Sequence, residues 1–209
     1  MICAIVLAAG QSRRMGVQKL LLPFGSKTVI THIVDQLTAS SVDKVYVVVG
    51  CQGERVSREL SNRPVSIVNN SNYKSGMLSS VRCGLHAMAQ QCRAVLVVLG
   101  DQPSVTTTLI DQILKAFAVT EKQILMPLYD GKRGHPIIFS TVYRNEILTH
   151  YDYIGLRGLL HAHKDDIFEL SVTASGVLSD MDYPEDYQRE LSLLKEKNEE
   201  NVPFEDQAK

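Results

Sequence analysis

The residues with most chemical promise stand near the amino terminus, where Ala4–Lys19 reads A-I-V-L-A-A-G-Q-S-R-R-M-G-V-Q-K. An apolar run breaks there into a loop bearing Gly10 and Gly16, the guanidinium groups of Arg13 and Arg14, and the ammonium of Lys19. Glycines let backbone N–H groups approach an anion with no Cβ between, and the cations offset its charge. The combination points to the phosphates of a nucleoside triphosphate. Five residues rather than four separate the glycines, and Leu20 follows Lys19, so the P-loop pattern fails. Gln11 and Ser12 follow Gly10, so the dinucleotide fingerprint fails too, and hydride transfer loses its main support. The plainer reading of the same residues is a strand-to-helix turn with solvated arginines.

Acids that would complement this loop lie far along the chain. Ala94–Leu99 is a buried-strand pattern that ends in G-D-Q-P (Gly100–Pro103), which puts Asp101 at the strand end, where α/β sheets bind ligands. Facing the phosphate loop, Asp101 would hold Mg²⁺, which takes one or two carboxylates together with phosphate oxygens and water. Its alternative is a turn or helix-cap aspartate before Thr106. The stretch S-D-M-D-Y-P-E-D (Ser179–Asp186) places Asp180 and Asp182 on one side if extended. Asp182 would complete the metal site, but Asp182, Glu185 and Asp186 equally suit the start of a helix.

The pattern predicts the elements that must position these groups. Apolar runs at Ile2–Leu7, Lys44–Val49, Val65–Val68, Ala94–Leu99 and Ile124–Leu128 are mostly continuous, as in strands covered on both faces. Helical spacing lies between them at Thr28–Leu37, Met77–Ala89 and Thr106–Phe117. This alternation argues for crossover units and a mostly parallel sheet. Asp130-Gly131 is a turn signal before Pro136–Phe139 and predicts an antiparallel excursion. Gly155–His163 reads as a helix, Ile167–Val172 as a strand, and Pro184 as the opening of a last helix. The expected organisation is one domain over 1–195 and a charged, disordered tail over 196–209.

Composition narrows the classes. The 209 residues suit one large α/β domain, and 44% hydrophobic content supplies a core. A formal net charge of −1 gives no sign of a nucleic-acid or membrane binder. The first apolar run lacks a basic leader and is too short to span a bilayer, so a soluble cytoplasmic protein is expected. Cys3, Cys51, Cys83 and Cys92 are scattered and read as structural thiols of a reducing compartment. His161 and His163 sit two apart, which does not suit a metal pair on a helix, and read as surface histidines. Tyr143, Tyr151 and Tyr153 read as packing aromatics rather than ligand contacts.

Four motifs, L-A-A-G-Q-S-R-R-M-G-V-Q-K-L-L-L (Leu7–Leu22), G-D-Q-P, R-G-H-P (Arg133–Pro136) and D-M-D-Y-P-E-D (Asp180–Asp186), stand in the order found in molybdenum cofactor cytidylyltransferases, which this chain resembles from Ile2 to about Leu191. The resemblance implies an α/β, Rossmann-like three-layer sandwich with a mostly parallel central sheet. It implies an enzyme that joins CTP to the terminal phosphate of molybdopterin and releases pyrophosphate, using Mg²⁺. By motif match, Leu7, Ala8, Ala9 and Gly10 would meet the nucleotide, and Arg14 and Lys19 its triphosphate. Asp101 and Asp182 would hold the metal. Ser79 and Ser80 fall in a segment similar to the family's second nucleotide-binding stretch, and Gly134 and His135 would line the pterin side. His135 suits a structural hydrogen bond equally well.

Ala9 leans toward CTP, since guanylyl relatives tend to carry a second glycine in that motif. The rival readings are guanylyl transfer to the same cofactor, nucleotidyl transfer to a sugar or polyol phosphate, and a nucleotide-binding chaperone that passes the cofactor to a recipient molybdoenzyme. No Ser-His-Asp or Cys-His constellation stands out. That fits a phosphate nucleophile already ionised near neutrality, with a second pKa of about 6.

Overall fold

In the computed structural model, which describes residues 1–200, strands and helices alternate. The strands are β1 (Ile2–Ala8), β2 (Pro23–Phe24), β3 (Lys27–Thr28), β4 (Lys44–Val49), β5 (Val65–Asn69), β6 (Ala94–Leu99), β7 (Ile124–Tyr129), β8 (Lys132–Arg133), β9 (Ile137–Ser140) and β10 (Ile167–Ser171). The helices are α1 (Val29–Thr38), α2 (Gly53–Glu59), α3 (Met77–Ala87), α4 (Thr107–Val119), α5 (Arg144–Thr149), α6 (Leu156–Ala162) and α7 (Pro184–Glu200).

The main sheet runs in the order β10-β7-β9-β6-β1-β4-β5, with β8 paired to β7. β1 lies inside it, parallel to β4 on one side and β6 on the other. β6 is apolar without interruption and β4 is so after Lys44, and every residue of β6 is buried, because helices cover both faces. One core layer gathers Ile30, Ile33 and Leu37 of α1 and Ile110 and Ile113 of α4 against Val6, Val47 and Val98. The other gathers Val81 and Leu85 of α3, Ile147 and Leu159 against Ile5, Val48 and Phe139. The three layers and the mostly parallel sheet agree with expectation.

The antiparallel excursion is present and larger than a simple hairpin. Asp130 and Gly131 take φ of 47° and 69°, and β8 folds back on β7. β9 then inserts between β7 and β6, antiparallel to both. This brings Gly134 and His135 across the end of the sheet, where their N–H groups donate to Pro127 and Val177 carbonyls.

Four expectations need correction, one of them Tyr153, which is fully exposed rather than packed. Cys3 and Cys92 are not thiols: they are joined in a disulfide across 89 residues, with Cα atoms 5.9 Å apart. β1 and the turn entering β6 are neighbours in space, which sequence spacing does not reveal. Helix α7 continues through Glu200, past the expected boundary at residue 195; the rest of the expected tail lies outside the described residues. His163 is not a bare surface histidine, for its ring packs on Tyr143 and its Nε2 lies 2.9 Å from Glu146 Oε1.

Candidate active site

The carboxyl ends of β1 and β6 open onto a cavity of about 560 Å³. After Ala8 the chain leaves the sheet as a loop with two short 3-10 turns, Arg13–Met15 and Lys19–Leu21. Ser12 takes a left-handed φ of 50°, and Gly16 one of 69°. Within the described residues the N–H groups of Gln11 to Arg14 find no backbone acceptor. Such a run of free donors beside a cavity is suited to an anion.

The loop delivers Lys19 to the acids. Lys19 is almost covered, and its Nζ bonds Asp101 Oδ2 and, at 3.0 Å, Asp182 Oδ1. Arg14 Nη1 reaches the other oxygen of Asp182 at 2.6 Å. Burial pulls the Lys19 ammonium toward the neutral form, but the charges and hydrogen bonds of Asp101 and Asp182 outweigh it, so its pKa stands above 10.5. Asp180 also faces the cavity; its carboxyl is held above the ordinary range by partial desolvation and then by the Asp101 charge.

Asp101 follows Gly100 at the end of β6, and its carbonyl accepts the Met181 N–H at 3.1 Å. Gln102, buried, donates to Asp180 Oδ1 at 2.8 Å and to the Val177 carbonyl at 3.3 Å. Ser104 donates to the buried Glu190 at 2.5 Å. These contacts dock residues 177–190 on the 101–104 turn and so carry Asp182 to Lys19 across 163 positions of sequence. The helix-start chemistry is real as well, but it belongs to Asp186, whose carboxylate accepts the N–H groups of Asp182 and Tyr183.

The opposite wall comes from the segment after β5. Asn70, buried, donates to Ser79 Oγ at 2.9 Å and to Ser80 Oγ at 3.0 Å. Tyr73 lies against the end of β4, where a Cβ on Gly50 would sit 2.8 Å from Tyr73 and 2.9 Å from Ala9. Only glycine allows that approach.

The structure therefore gathers Leu7, Ala9, Gly10, Arg14, Lys19, Ser80, Asp101 and Asp182 at one cavity. Ala8 is fully buried, with its side chain in the core. Ser79 does not line the cavity; its hydroxyl bonds the Asn72 and Gly76 carbonyls. Gly134 and His135 also stand outside it. Gly134 packs on Val177, and the largely buried His135 ring lies near Val97 and Asp101, where burial lowers its pKa. Sequence reasoning missed Gln18, Tyr73 and Lys74, which line the cavity. Tyr73 and Lys74 precede Gly76, and a polar-to-glycine break before an apolar helix was the available signal.

Asp101 and Asp182 already converge on one point, occupied by the Lys19 ammonium. Two hard oxygen donors meeting there suit a divalent cation that also takes phosphate oxygens. Among the described residues no group of three or more His, Cys, Asp or Glu side chains is arranged to hold a metal ion; the rest of such a cation's shell would be phosphate oxygens and water.

The sequence from residue 4 to 167 matches the MobA-like NTP transferase domain. It is 28% identical over 185 residues to the molybdenum cofactor cytidylyltransferase of Escherichia coli (strain K12), spanning 88% of this chain and 92% of that one. It is 32% identical over 135 residues to a probable molybdenum cofactor guanylyltransferase of Pyrococcus horikoshii, spanning 64% and 66%. Among solved structures, Rv0371c from Mycobacterium tuberculosis H37Rv superposes with a TM-score of 0.82 at 27% identity, over 91% of this chain and 97% of that one. The same protein solved as a complex with manganese superposes at 0.78, with 26% identity over 91% and 98%.

Proposed function

This chain belongs to the MobA-like NTP transferase family, and we propose that it joins CTP to the terminal phosphate of molybdopterin and releases pyrophosphate, with Mg²⁺ as the metal. The observation that carries the reading is the meeting of Lys19, Asp101 and Asp182 beside an anion cradle. A carrier that only docked a nucleotide would not require both acids at the triphosphate end. The choice of CTP rests on Ala9, which lines the cavity at the motif position where guanylyl relatives tend to carry a second glycine. The manganese complex of a relative supports a divalent metal.

In this reading the cradle and Arg14 bind the triphosphate, and Lys19 leaves its acids to meet the charge moving onto pyrophosphate. A divalent ion held by Asp101 and Asp182 would supply Lewis-acid neutralisation of the phosphate oxygens. The acceptor monoester is ionised above a pKa of about 6 and needs no strong base. Its obstacle is repulsion between two anions, which positioned cations offset. A recipient molybdoenzyme is the natural destination of the product.

The test supplies CTP, GTP, ATP and UTP separately, each with molybdopterin and Mg²⁺, and measures pyrophosphate. CTP should dominate. A preference for GTP would convert the reading to guanylyl transfer, and nucleotide binding without pyrophosphate would make the protein a carrier.

A further inference from the structure

The phosphate loop has no long helix or strand to hold its shape, and its interior is built on one side chain. Gln18 is buried at 6% exposure, yet lies at the cavity wall. Its amide is used on both sides. Nε2 donates to the Cys51 carbonyl at 3.1 Å and to the Gly10 carbonyl at 3.3 Å. Oε1 accepts from Ser12 Oγ at 2.8 Å, and Ser12 Oγ in turn accepts the Lys19 N–H at 3.2 Å. One amide thus ties the end of β1, the end of β4, the left-handed turn at Ser12 and the backbone of Lys19.

We infer that Gln18 is a positioning residue for nucleotide binding: through Ser12 it fixes the loop so that the free N–H groups of Gln11–Arg14 and the Lys19 side chain face one anion. The inference rests on the reading of this cavity as a nucleoside triphosphate site. The physical case is preorganisation. An anion cradle binds well only if its donors are aligned before the ligand arrives, since ordering the loop on binding is subtracted from affinity. The bonds of Gln18, with the one that Ser12 accepts from Lys19, join four places in the loop and at the strand ends, which hydrophobic packing cannot do for a loop whose 3-10 turn Arg13–Met15 buries nothing. Gln18 acts through the backbone and Ser12, so its removal should be felt in affinity for the nucleotide before stability.

The test compares Gln18→Met, which keeps the volume and loses the amide, with Ser12→Ala and the double variant. Equilibrium binding of CTP with Mg²⁺ is measured by calorimetry well below each melting temperature. Gln18→Met should weaken binding about tenfold or more, because aligned donors to an anion are lost. Ser12→Ala should weaken it less, and the double variant should lose no more than Gln18→Met alone, since both act through one chain of bonds. Unchanged affinity in Gln18→Met, whatever its melting temperature, would overturn the inference, as would strictly additive losses. If Gln18→Met does not fold, Ser12→Ala decides: it must lose affinity with a normal melting temperature. Failure of the unaltered protein to bind any of the four ribonucleoside triphosphates would instead overturn the reading of the site, and this inference with it.

Discussion

Replacing Gly10 by alanine should separate ligand binding from stability. Nothing lies within 4 Å of the Cβ that alanine would add, and Gly10 is not among the glycines at positive φ. The folded chain therefore accepts the methyl, while the unfolded chain loses freedom. That favours the native state by about 0.4–1 kcal/mol, or roughly 1–4 °C in Tm for a chain of this size. The open space around the Cβ lies at the cavity that Gly10 lines. A methyl carbon holds an oxygen roughly half an ångström further away than an N–H donor does. Losing one charge-assisted hydrogen bond costs about 1.5–3 kcal/mol, so Kd for CTP should rise by about ten- to a hundredfold. Gly50→Ala should instead destabilise the fold. Its Cβ would stand 2.8 Å from Tyr73 and 2.9 Å from Ala9, well inside ordinary carbon contact of about 3.5–4.0 Å. Overpacking of this kind costs about 1–3 kcal/mol, or some 2–12 °C. Calorimetric binding and thermal melting on the two variants check both statements. A Gly10→Ala protein with undiminished nucleotide affinity would refute the placement of phosphate at the loop.

Lys19→Ala should lower pyrophosphate release by about 10²-fold or more, read in a steady-state assay, since a cation aimed at the developing charge is removed. Asp101→Ala should abolish turnover together with its dependence on added Mg²⁺. Lowering the pH from 7.5 to 5.5 should destabilise the protein in part through His135. Burial depresses its folded pKa below 6.5, so the unfolded chain binds the extra proton first and stability falls as pH drops below 6.5. His135→Gln should flatten that slope in urea titrations at the two pH values. Arg82 binds the Ile147 carbonyl at 2.8 Å, the His150 carbonyl at 2.6 Å and the Asp152 carboxylate, so Arg82→Ala should release the 150–155 bend and speed proteolysis near the fully exposed Tyr153.

Much of this arrangement can be read before any coordinates, for identifiable reasons. The central strands are buried on both faces and so are apolar nearly throughout; Lys44–Val49 and Ala94–Leu99 have the same bounds in sequence and structure. Long amphipathic helices such as α4 announce themselves by spacing, whereas α2 buries only Val56 and leaves no pattern to find. The residues that meet at the cavity are legible where chemistry forces a residue type, as at Lys19, Asp101 and Asp182. Gln18 and Gln102 were not, because a buried amide that ties backbone carbonyls or orients a carboxylate has no spacing rule. Gly134 and His135 stand outside the lining of this cavity, with Gly134 packed against Val177 and the His135 ring beside Val97. Tyr143 and Tyr151 do pack, each bonded to a carboxylate, Asp166 and Glu146, while Tyr153 projects into solvent.

The most direct test of the central claim is a crystal structure with a non-hydrolysable CTP analogue and Mn²⁺, located by its anomalous signal. The account predicts Mn²⁺ between Asp101 and Asp182, the triphosphate across Gln11–Arg14, and Lys19 Nζ moved from its two acids to a phosphate oxygen. Manganese bound away from both carboxylates, or Lys19 still paired with them while the nucleotide lies elsewhere, would contradict it.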